Sequence, residues 1–495
     1  MDEKRGAFMA EYNLEKQHSK GKLHAIERID MLLDDETFQE IELVKDRHYD
    51  GVIMGSGEIS GKKVFLYVQD FTYKGGTLGR YHGRKISYLL DMAMKQKCPV
   101  IGVIDSGGAR IQEGVKALAK YGDIFYRNTK ASGFIPQISV IVGPCAGGAV
   151  YSPGITDFIF MVDKISNMFV TGPKVVKSVT NESVTAEELG GTFVHSHLSG
   201  VAHNHFDNEL DCMNEVRKLV HILPTHYGEK KKKVTKKDYI PKSQERLIEI
   251  IPDKVNKAYD MKEVIDTIMD KDSFIELQPE FAKNVIIGFA KLSEITVGIV
   301  ANQPNFMAGG LDFDGADNAA RFIRYCDCYD IPVITLTDVP GFIPGVDQEK
   351  KGIIRHGAKM LYAYSEATTK KLNVILRKAY GGAYIAMSSK HLDADCVYAW
   401  PNAEIAVMGA EGAVEIIYAK DLKLLEGEAK NEFYQKKLEE YKENHMNTRV
   451  AVERGYVDEV IKPKDTRQML FEALISQKKD KRRWTVPKKH GNIPL

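Results

Sequence analysis

The chain has 495 residues and contains an internal repeat, which limits its fold to two similar halves. Three landmarks recur after 233 to 236 residues, each with the same apolar pattern and the same turn residues. The pairs are residues 29–40 (IDMLLDDETFQE) and 265–276 (IDTIMDKDSFIE), 98–108 (CPVIGVIDSGG) and 331–341 (IPVITLTDVPG), and 146–151 (AGGAVY) and 380–385 (YGGAYI). So constant an offset indicates a duplicated domain.

A charged segment separates the two copies. Residues 229–237 (EKKKKVTKK) carry a run of lysines, with Gly228 before them and Pro241 after them. Such a run is typical of a solvated linker. We therefore predict two domains, residues 1–235 and 236–495.

Both copies predict an α/β fold. Residues 100–104 and 332–336 are continuous apolar runs, which are typical of strands that are covered on both faces. Segments with helical spacing of apolar residues alternate with these strands. Near the C-terminus, residues 422–447 are highly charged and predict one exposed helix.

Two glycine-rich turns that follow apolar strands are the strongest candidates for a reaction site. They contain Gly147 and Gly148 in the first half and Gly381 and Gly382 in the second. A strand that breaks at paired glycines and enters a helix leaves main-chain N–H groups unpaired. Such donors stabilise negative charge on a carbonyl oxygen, as in an oxyanion hole. Close packing of helix and strand is the alternative reason for each glycine pair, and the duplication favours the oxyanion hole.

The turns after Asp105 and Asp338 are a second candidate region. Glycines at residues 107 and 108 admit a ligand close to the main chain, and Arg110 is suited to a phosphate or a carboxylate. A tight turn with a surface arginine explains the same residues equally well.

Composition and motifs exclude several other classes of protein. The chain has 69 basic and 68 acidic residues and a net charge of +1, which gives no reason to expect nucleic-acid binding. Its apolar runs are too short to span a bilayer, and residues 1–22 lack the pattern of a secretory signal, so we expect a cytoplasmic protein. The six cysteines lack metal-binding spacing, and the histidines at 195, 197, 203 and 205 lack a partner set, so no metal is predicted.

Four stretches resemble one known family, and the resemblance covers nearly the whole chain. They are residues 105–114 (DSGGARIQEG), 143–153 (GPCAGGAVYSP), 352–359 (GIIRHGAK) and 399–409 (AWPNAEIAVMG). The sequence is similar to the carboxyltransferase β-subunits of propionyl-CoA carboxylase, methylmalonyl-CoA decarboxylase and transcarboxylase.

The resemblance implies a fold and a set of site residues. Each half is expected to be a crotonase-like ββα spiral, the N-terminal one on the acyl-CoA side and the C-terminal one on the biotin side. Gly147 and Gly148 are expected to form one oxyanion hole, and Gly382 and Ala383 the other. The expected substrate-binding residues are Ser106, Gly107, Gly108, Ala109, Arg110, Ala146, Tyr151, Gly172, Gly381, Tyr384 and Ile385.

The resemblance also implies the chemistry and the partners. The enzyme is expected to move a carboxyl group between carboxybiotin and the α-carbon of a short acyl-CoA, with biotin as the base. Biotin is expected on a separate carrier protein, because the chain has no carrier-lysine motif. A biotin carboxylase or a decarboxylase partner and a homohexamer, a trimer of dimers, are expected as well, with the active site between the N half of one protomer and the C half of another.

One position separates branches of the family. Propionyl-CoA carboxylases usually have an acidic residue after the second glycine turn, where this chain has Ile385, as decarboxylases and transcarboxylases tend to have. The alternative is therefore a methylmalonyl-CoA decarboxylase α-subunit or a transcarboxylase subunit that transfers the carboxyl group to biotin. A crotonase-like hydratase or isomerase is disfavoured because no acidic residue follows either glycine pair closely.

Overall fold

The computed structural model describes residues 14–43, 49–252, 254–476 and 490–494. Packing divides the chain into two compact units, an N unit that ends at Lys230 and a C unit that begins at Lys231. The domain limits 1–235 and 236–495 and the function of each half stay predictions. The prediction that residues 1–22 lack a secretory signal falls largely on residues 1–13, which lie outside the described residues.

A mixed sheet forms the centre of the N unit. Its strand order is β1-β2-β3-β4-β5-β6-β8, and β7 pairs with β5. Strands β1 to β3 are antiparallel, and the pairs from β3 onwards are parallel. The strands are β1 Gln39–Glu40, β2 Val52–Ile59, β3 Lys62–Gln69, β4 Val100–Ser106, β5 Gln137–Ala146, β6 Phe158–Val162, β7 Asn167–Phe169 and β8 Asn204–Phe206.

The C unit repeats this plan. Its strand order is β9-β10-β11-β12-β13-β14-β16, and β15 pairs with β13. The pairs among β9, β10 and β11 are antiparallel and the others are parallel. The strands are β9 Ile275–Leu277, β10 Val285–Leu292, β11 Ile295–Asn302, β12 Val333–Val339, β13 Lys371–Tyr380, β14 Cys396–Ala399, β15 Glu404–Ala406 and β16 Glu459–Val460.

Helices precede, connect and follow the strands of both units. In the N unit they are α1 Leu14–His18, α2 Ala25–Leu32, α3 Arg80–Gln96, α4 Val115–Ala131, α5 Tyr151–Ile155, α6 Pro173–Thr180, α7 Ala186–Gly190 and α8 Glu209–Ile222. In the C unit they are α9 Leu247–Ile250, α10 Met261–Ile268, α11 Phe313–Cys328, α12 Val346–Lys350, α13 Ile353–Glu366, α14 Gly381–Ala386, α15 Ala410–Ile417, α16 Ala419–Leu424, α17 Gly427–His445, α18 Thr448–Glu453 and α19 Thr466–Ile475.

Burial of the central strands explains their continuous apolar sequences. Every residue of β4, β12 and β13 is buried. Helices α3 and α4 add Ile86, Leu89 and Ile124 to the core of the N unit. Parallel strands covered on both faces are typical of α/β proteins, and the predicted α/β class is confirmed.

The prediction of one helix over residues 422–447 is wrong at its N-terminal end. Helix α16 ends at Leu424, and α17 begins only at Gly427, whose φ of 58° lies in the left-handed region. Leu425 and Glu426 are extended between them. Helix α17 has no buried residue, as its charged sequence predicts. Within the described residues, no helix is both long enough and apolar enough to cross a bilayer.

Replacing Gly122 by alanine is expected to stabilise the protein by about 0.5–1 kcal/mol, because alanine loses less conformational freedom than glycine in a helix. Gly122 is an exposed residue of α4, and a Cβ added there meets no heavy atom within 4 Å. Denaturant unfolding of the two proteins measures the difference. A lower unfolding free energy for Gly122→Ala would contradict the helical environment described for this residue.

Candidate active site

The two glycine turns have the same backbone course in both units. Strand β5 ends at Ala146 and enters a 3-10 turn, Gly147–Val150, while β13 ends at Tyr380 and enters α14. The first glycine of each pair has a positive φ, 63° at Gly147 and 60° at Gly381. Residues other than glycine rarely adopt this backbone conformation, so the glycine permits the sharp bend from strand to helix.

The main-chain N–H groups at the start of each turn have no acceptor within the turn. In the N unit these groups belong to Gly147 and Gly148, and in the C unit to Gly382 and Ala383 and their neighbours. A Cβ added at Gly147 would meet only the Val170 carbonyl oxygen, at 3.9 Å. The assignment of these four residues to two catalytic oxyanion holes stays a prediction.

An aromatic ring supports the second glycine of each pair. A Cβ added at Gly148 would lie 3.0 Å from Cδ2 of Tyr121 on α4. At Gly382 it would lie 3.8 Å from Cδ2 of Phe342, a residue of the loop after β12. The two rings therefore come from different elements of the repeat.

The isolated β-bridges identify equivalent positions in the two units and show that the supporting ring comes from a different position in each. Leu78 forms an isolated bridge with Ala109, and Leu311 forms the equivalent bridge with Phe342. Ala109 in the N unit thus corresponds to Phe342 in the C unit. Sequence reasoning missed both support rings, and comparison of the aligned repeats position by position could have found the exchange.

The turn after β4 packs against a neighbouring loop. The Gly107 N–H donates to the Gly75 carbonyl oxygen (3.0 Å), and the Leu78 N–H donates to that of Gly108 (2.9 Å). Gly108 has a φ of 96°, and its Ser106 neighbour accepts a hydrogen bond from the Gly108 N–H at Oγ (3.1 Å). The predicted glycines thus allow main chain to approach main chain in this part of the N unit.

Left-handed turns border the site in both units. Residues 74–76 have φ values of 51°, 66° and 63°, and residues 307–309 have values of 48°, 54° and 80°. Lys74, Met307 and Ala308 are not glycines, so their backbone conformations are strained. Sequence reasoning missed these turns, because Lys74, Met307 and Ala308 are residue types that rarely adopt this conformation.

Arg110 lies in a buried set of protein contacts. Its Nη1 pairs with Asp50 Oδ1 (2.6 Å) and Glu113 Oε1 (2.9 Å), and its Nη2 donates to the Thr77 carbonyl oxygen (2.8 Å). The side chain is 6% exposed, so the residue is not a free surface arginine. Contact of Arg110 with a substrate stays a prediction.

The remaining predicted contact residues are Tyr151, Gly172, Tyr384 and Ile385. Tyr151 begins α5 and is half exposed, and Gly172 is the N-cap of α6. In the C unit, burial raises the pKa of Tyr384 to about 12, and Ile385 is 37% exposed. The structure thus keeps Ile385 accessible on α14, next to the second glycine pair.

A buried aspartate is the penultimate residue of β4 and of β12, the strands that pair with β5 and β13. In the N unit, Asp105 pairs with Lys22 Nζ (2.5 Å) and Arg28 Nη1 (3.2 Å). Burial raises the pKa of Asp105, although both cations act in the opposite direction. Arg28 also donates to both carboxylate oxygens of Glu209, at 2.6 and 3.0 Å.

The C unit has an equivalent cluster around Asp338. Its Oδ2 accepts from Arg377 Nε (3.0 Å) and from the Tyr259 hydroxyl (2.9 Å), and Lys378 Nζ lies 3.6 Å from its Oδ1. Burial lowers the pKa of Lys378, although Asp338 opposes the change. Sequence reasoning used both aspartates as landmarks of the repeat and missed their ionic partners.

His195, His203 and His205 contact different protein groups. The ring Nε2 of His195 is 2.7 Å from the Met168 carbonyl oxygen, and His205 Nδ1 is 2.9 Å from Asp163 Oδ1. His203 Nδ1 accepts from the Ile159 N–H. Throughout the described ranges, no three histidine, cysteine, aspartate or glutamate side chains are grouped to hold a metal ion.

Comparison with known proteins adds independent information. The family model for the carboxyl transferase domain matches residues 16–493. The chain is 51% identical to the propionyl-CoA carboxylase beta chain of Roseobacter denitrificans over 97% of this chain and 96% of the relative. It is also 51% identical to the methylmalonyl-CoA decarboxylase subunit alpha of Veillonella parvula, over 98% and 96%.

A solved structure has the same fold. The hexameric transcarboxylase 12S with bound methylmalonyl-coenzyme A and methylmalonic acid matches with a TM-score of 0.90 and 44% identity. The match covers 97% of this chain and 94% of that chain. The predicted pair of crotonase-like domains is thereby confirmed.

Proposed function

Because the chain belongs to the carboxyl transferase family, we propose that it moves a carboxyl group between carboxybiotin on a separate carrier protein and the α-carbon of propionyl-CoA. The observation that carries this proposal is the pair of glycine turns at equivalent places in two crotonase-like units. A reaction that forms two oxyanions needs two holes, one for the thioester and one for biotin.

The N-unit turn is proposed to hold the thioester oxygen of acyl-CoA. The N–H groups of Gly147 and Gly148 donate to this oxygen as the α-carbon loses its proton and negative charge develops. Gly148 rests on the Tyr121 ring, which limits movement of the turn away from the substrate. The loop 106–110 and Gly172 are proposed to contact the rest of the acyl-CoA.

The C-unit turn is proposed to hold the oxygen of the biotin ring through the N–H groups of Gly382 and Ala383. The turn fits such a group, because a Cβ at Gly382 would find its nearest heavy atom 3.8 Å away, which leaves the main chain accessible. Bound carboxybiotin supplies the carboxyl group and the ring nitrogen that takes the α-proton. The chain's own residues orient the two reactants, stabilise charge and exclude water.

The proposal includes an assembly. The active site is proposed to form between the N unit of one protomer and the C unit of another, in a homohexamer such as that of transcarboxylase 12S. A biotin carrier protein and a biotin carboxylase or decarboxylase subunit are the proposed partners. The cytoplasmic location stays a prediction.

A second candidate is the reverse transfer, from methylmalonyl-CoA to biotin. Exposed Ile385 favours it, because an apolar residue at this position is typical of the decarboxylase and transcarboxylase branch. The chain is as similar to a decarboxylase chain as to a carboxylase chain, with 51% identity to each.

The proposal is tested on the purified full chain with methylmalonyl-CoA that is labelled in the carboxyl group to be transferred. The measurement is transfer of this label to free biotin or to a biotinylated carrier. We expect transfer, with a kcat/KM for methylmalonyl-CoA at least tenfold above that for malonyl-CoA, because one methyl group in an apolar pocket contributes about 10- to 200-fold. Absence of transfer from any short carboxyacyl-CoA by the folded hexamer would refute it. Carboxylation of propionyl-CoA when biotin carboxylase, carrier and ATP are added would select the first direction.

A further inference from the structure

Each glycine turn is preceded by an irregularity in the sheet. Between β4 and β5, Ile104 pairs with Ile141, but Ser106 pairs with Cys145, so Asp105 faces residues 142–144. Between β12 and β13, Thr337 pairs with Ile375 and Val339 with Ala379, so Asp338 faces residues 376–378. Extra residues in one strand leave main-chain groups without ladder partners.

In the C unit, the Asp338 carboxylate takes the place of the missing ladder partner. The Lys378 N–H donates to Asp338 Oδ1 (3.1 Å), and the Arg377 side chain donates to Oδ2. The N–H of Asp338 itself donates to Asn302 Oδ1 (3.1 Å). One buried carboxylate therefore holds two consecutive residues of β13 just before Gly381.

In the N unit, different residues occupy the bulge before the glycine turn. Pro144, which has no N–H, stands where the C unit has Lys378, and Gly143 stands where it has Arg377. A Cβ at Gly143 would lie 1.9 Å from Asp105 Oδ1. That oxygen has no hydrogen-bond partner within the described residues, and the cations come from outside the strand, from Lys22 and Arg28.

The geometry points to Asp105 and Asp338 as positioning residues for the two turns. The Asp338 carboxylate holds the bulge of β13 directly through the Lys378 N–H. The Asp105 carboxylate holds the bulge of β5 through Arg28, which donates both to Asp105 and to the Val142 carbonyl oxygen (3.2 Å each). Each bulge leads into a glycine pair, so its position sets the direction of the N–H groups. The N-unit turn then depends on the segment that carries Lys22 and Arg28, whereas the cations that hold the C-unit turn come from β13 itself. This inference rests on the proposed function for its kinetic consequences but not for its structural ones.

The test uses Asp105→Asn and Asp338→Asn in the full chain, because asparagine keeps the size of the side chain and removes the charge. In the transfer assay with free biotin, we expect kcat to fall at least tenfold in each variant, since small misplacements of reacting groups cost up to about a hundredfold. The KM for methylmalonyl-CoA is expected to rise in Asp105→Asn, and the KM for biotin in Asp338→Asn. A merely structural role would not separate the two KM values.

Two other aspartates of the repeat supply matched controls. Asp34 accepts from Arg217 Nη2 (2.6 Å) and from the Gly61 N–H (2.9 Å), and Asp270 accepts from Arg467 and the Ser293 N–H (3.0 Å). Both aspartates bind the hairpin turns that precede β3 and β11. These strands are roughly 23 Å long at about 3.3 Å per residue, so the control aspartates lie far from the C-terminal ends of the strands. Their asparagine variants are expected to keep both KM values within twofold.

Amide hydrogen exchange gives a readout that needs no activity. Exchange is expected to accelerate at least tenfold in residues 143–151 of Asp105→Asn and in residues 377–386 of Asp338→Asn, and in neither segment of the control variants. Unchanged exchange in both segments, or equal acceleration in all four variants, overturns the positioning role. If the variants show this local acceleration but the unchanged protein itself transfers no carboxyl group, the proposed function is refuted and the positioning role is retained.

Discussion

Replacement of Gly382 by valine is expected to lower the rate of carboxyl transfer roughly a thousandfold while the melting temperature stays within about 2 °C of the unchanged protein. A Cβ at this position would be 3.8 Å from the Phe342 ring, which is an ordinary van der Waals contact. The fold therefore has room for the first added carbon. The additional methyl groups project beside the N–H groups that are proposed to hold the biotin oxygen, and loss of one such donor typically costs 10²- to 10³-fold in kcat.

Gly382 gives a cleaner test than Gly148. A Cβ at Gly148 would lie 3.0 Å from Tyr121, so a substitution there would also displace the supporting ring. Gly122→Val serves as the control, because a Cβ at Gly122 has no neighbour within 4 Å, and its transfer rate is expected to stay within twofold. The rate is measured with labelled methylmalonyl-CoA and free biotin, and the fold by thermal unfolding. A Gly382→Val enzyme with normal turnover would remove Gly382 from the proposed hole.

The sequence repeat was sufficient to predict two similar halves and the equivalence of the glycine turns. The continuous apolar strands predicted the α/β class, and the family resemblance implied the crotonase-like fold. Both first glycines have a positive φ, which is the physical reason why the repeat keeps a glycine at these positions. The offset also aligns Asp105 with Asp338 at the ends of corresponding strands. These features depend on local backbone geometry, which leaves a signature at fixed positions of the sequence.

The partners of these residues could not be predicted in the same way. Asp105 is neutralised by Lys22 and Arg28, which precede it by more than 70 residues, whereas Asp338 is neutralised by residues that follow it. The two copies satisfy the same buried charge from unrelated places, so the repeat carries no signal for the pairing. Arg110 is a similar case, because its burial depends on Asp50, which only the folded chain brings near.

Helix α17 illustrates a different limit. Its charged sequence predicts an exposed helix, and no residue of α17 is buried. The interruption at Leu425 and Glu426 involves residues that are compatible with a helix, and only Gly427 signals the break. A single glycine is tolerated within helices at a cost of about 1 kcal/mol, so sequence alone does not place the boundary.

Replacement of Arg28 by methionine is expected to lower the free energy of unfolding of the N unit by about 3–5 kcal/mol, the usual cost of removing one partner from a buried ion pair. The Arg28 side chain is fully buried and donates to Glu209 through Nε and Nη2, to Asp105 through Nη1 and to the Val142 carbonyl oxygen through Nη2. Methionine fills much of the volume but leaves both carboxylates with less compensation. At about 2–4 °C per kcal/mol for a domain of this size, the melting temperature is expected to fall by roughly 10 °C.

The control for this loss is Arg217→Met, which breaks a partly exposed contact of an arginine with Asp34 and the Leu32 carbonyl oxygen. Exposed ion pairs contribute about 0–1 kcal/mol, so this variant is expected to unfold within about 1 kcal/mol of the unchanged protein. A double variant, Arg28→Met with Glu209→Gln, is expected to recover part of the lost stability, because it also removes a buried charge that has lost its partner. Equal losses in Arg28→Met and Arg217→Met, or no recovery in the double variant, would show that the buried cluster contributes packing alone. Since Arg28 also neutralises Asp105, recovery is expected to stop short of the original value.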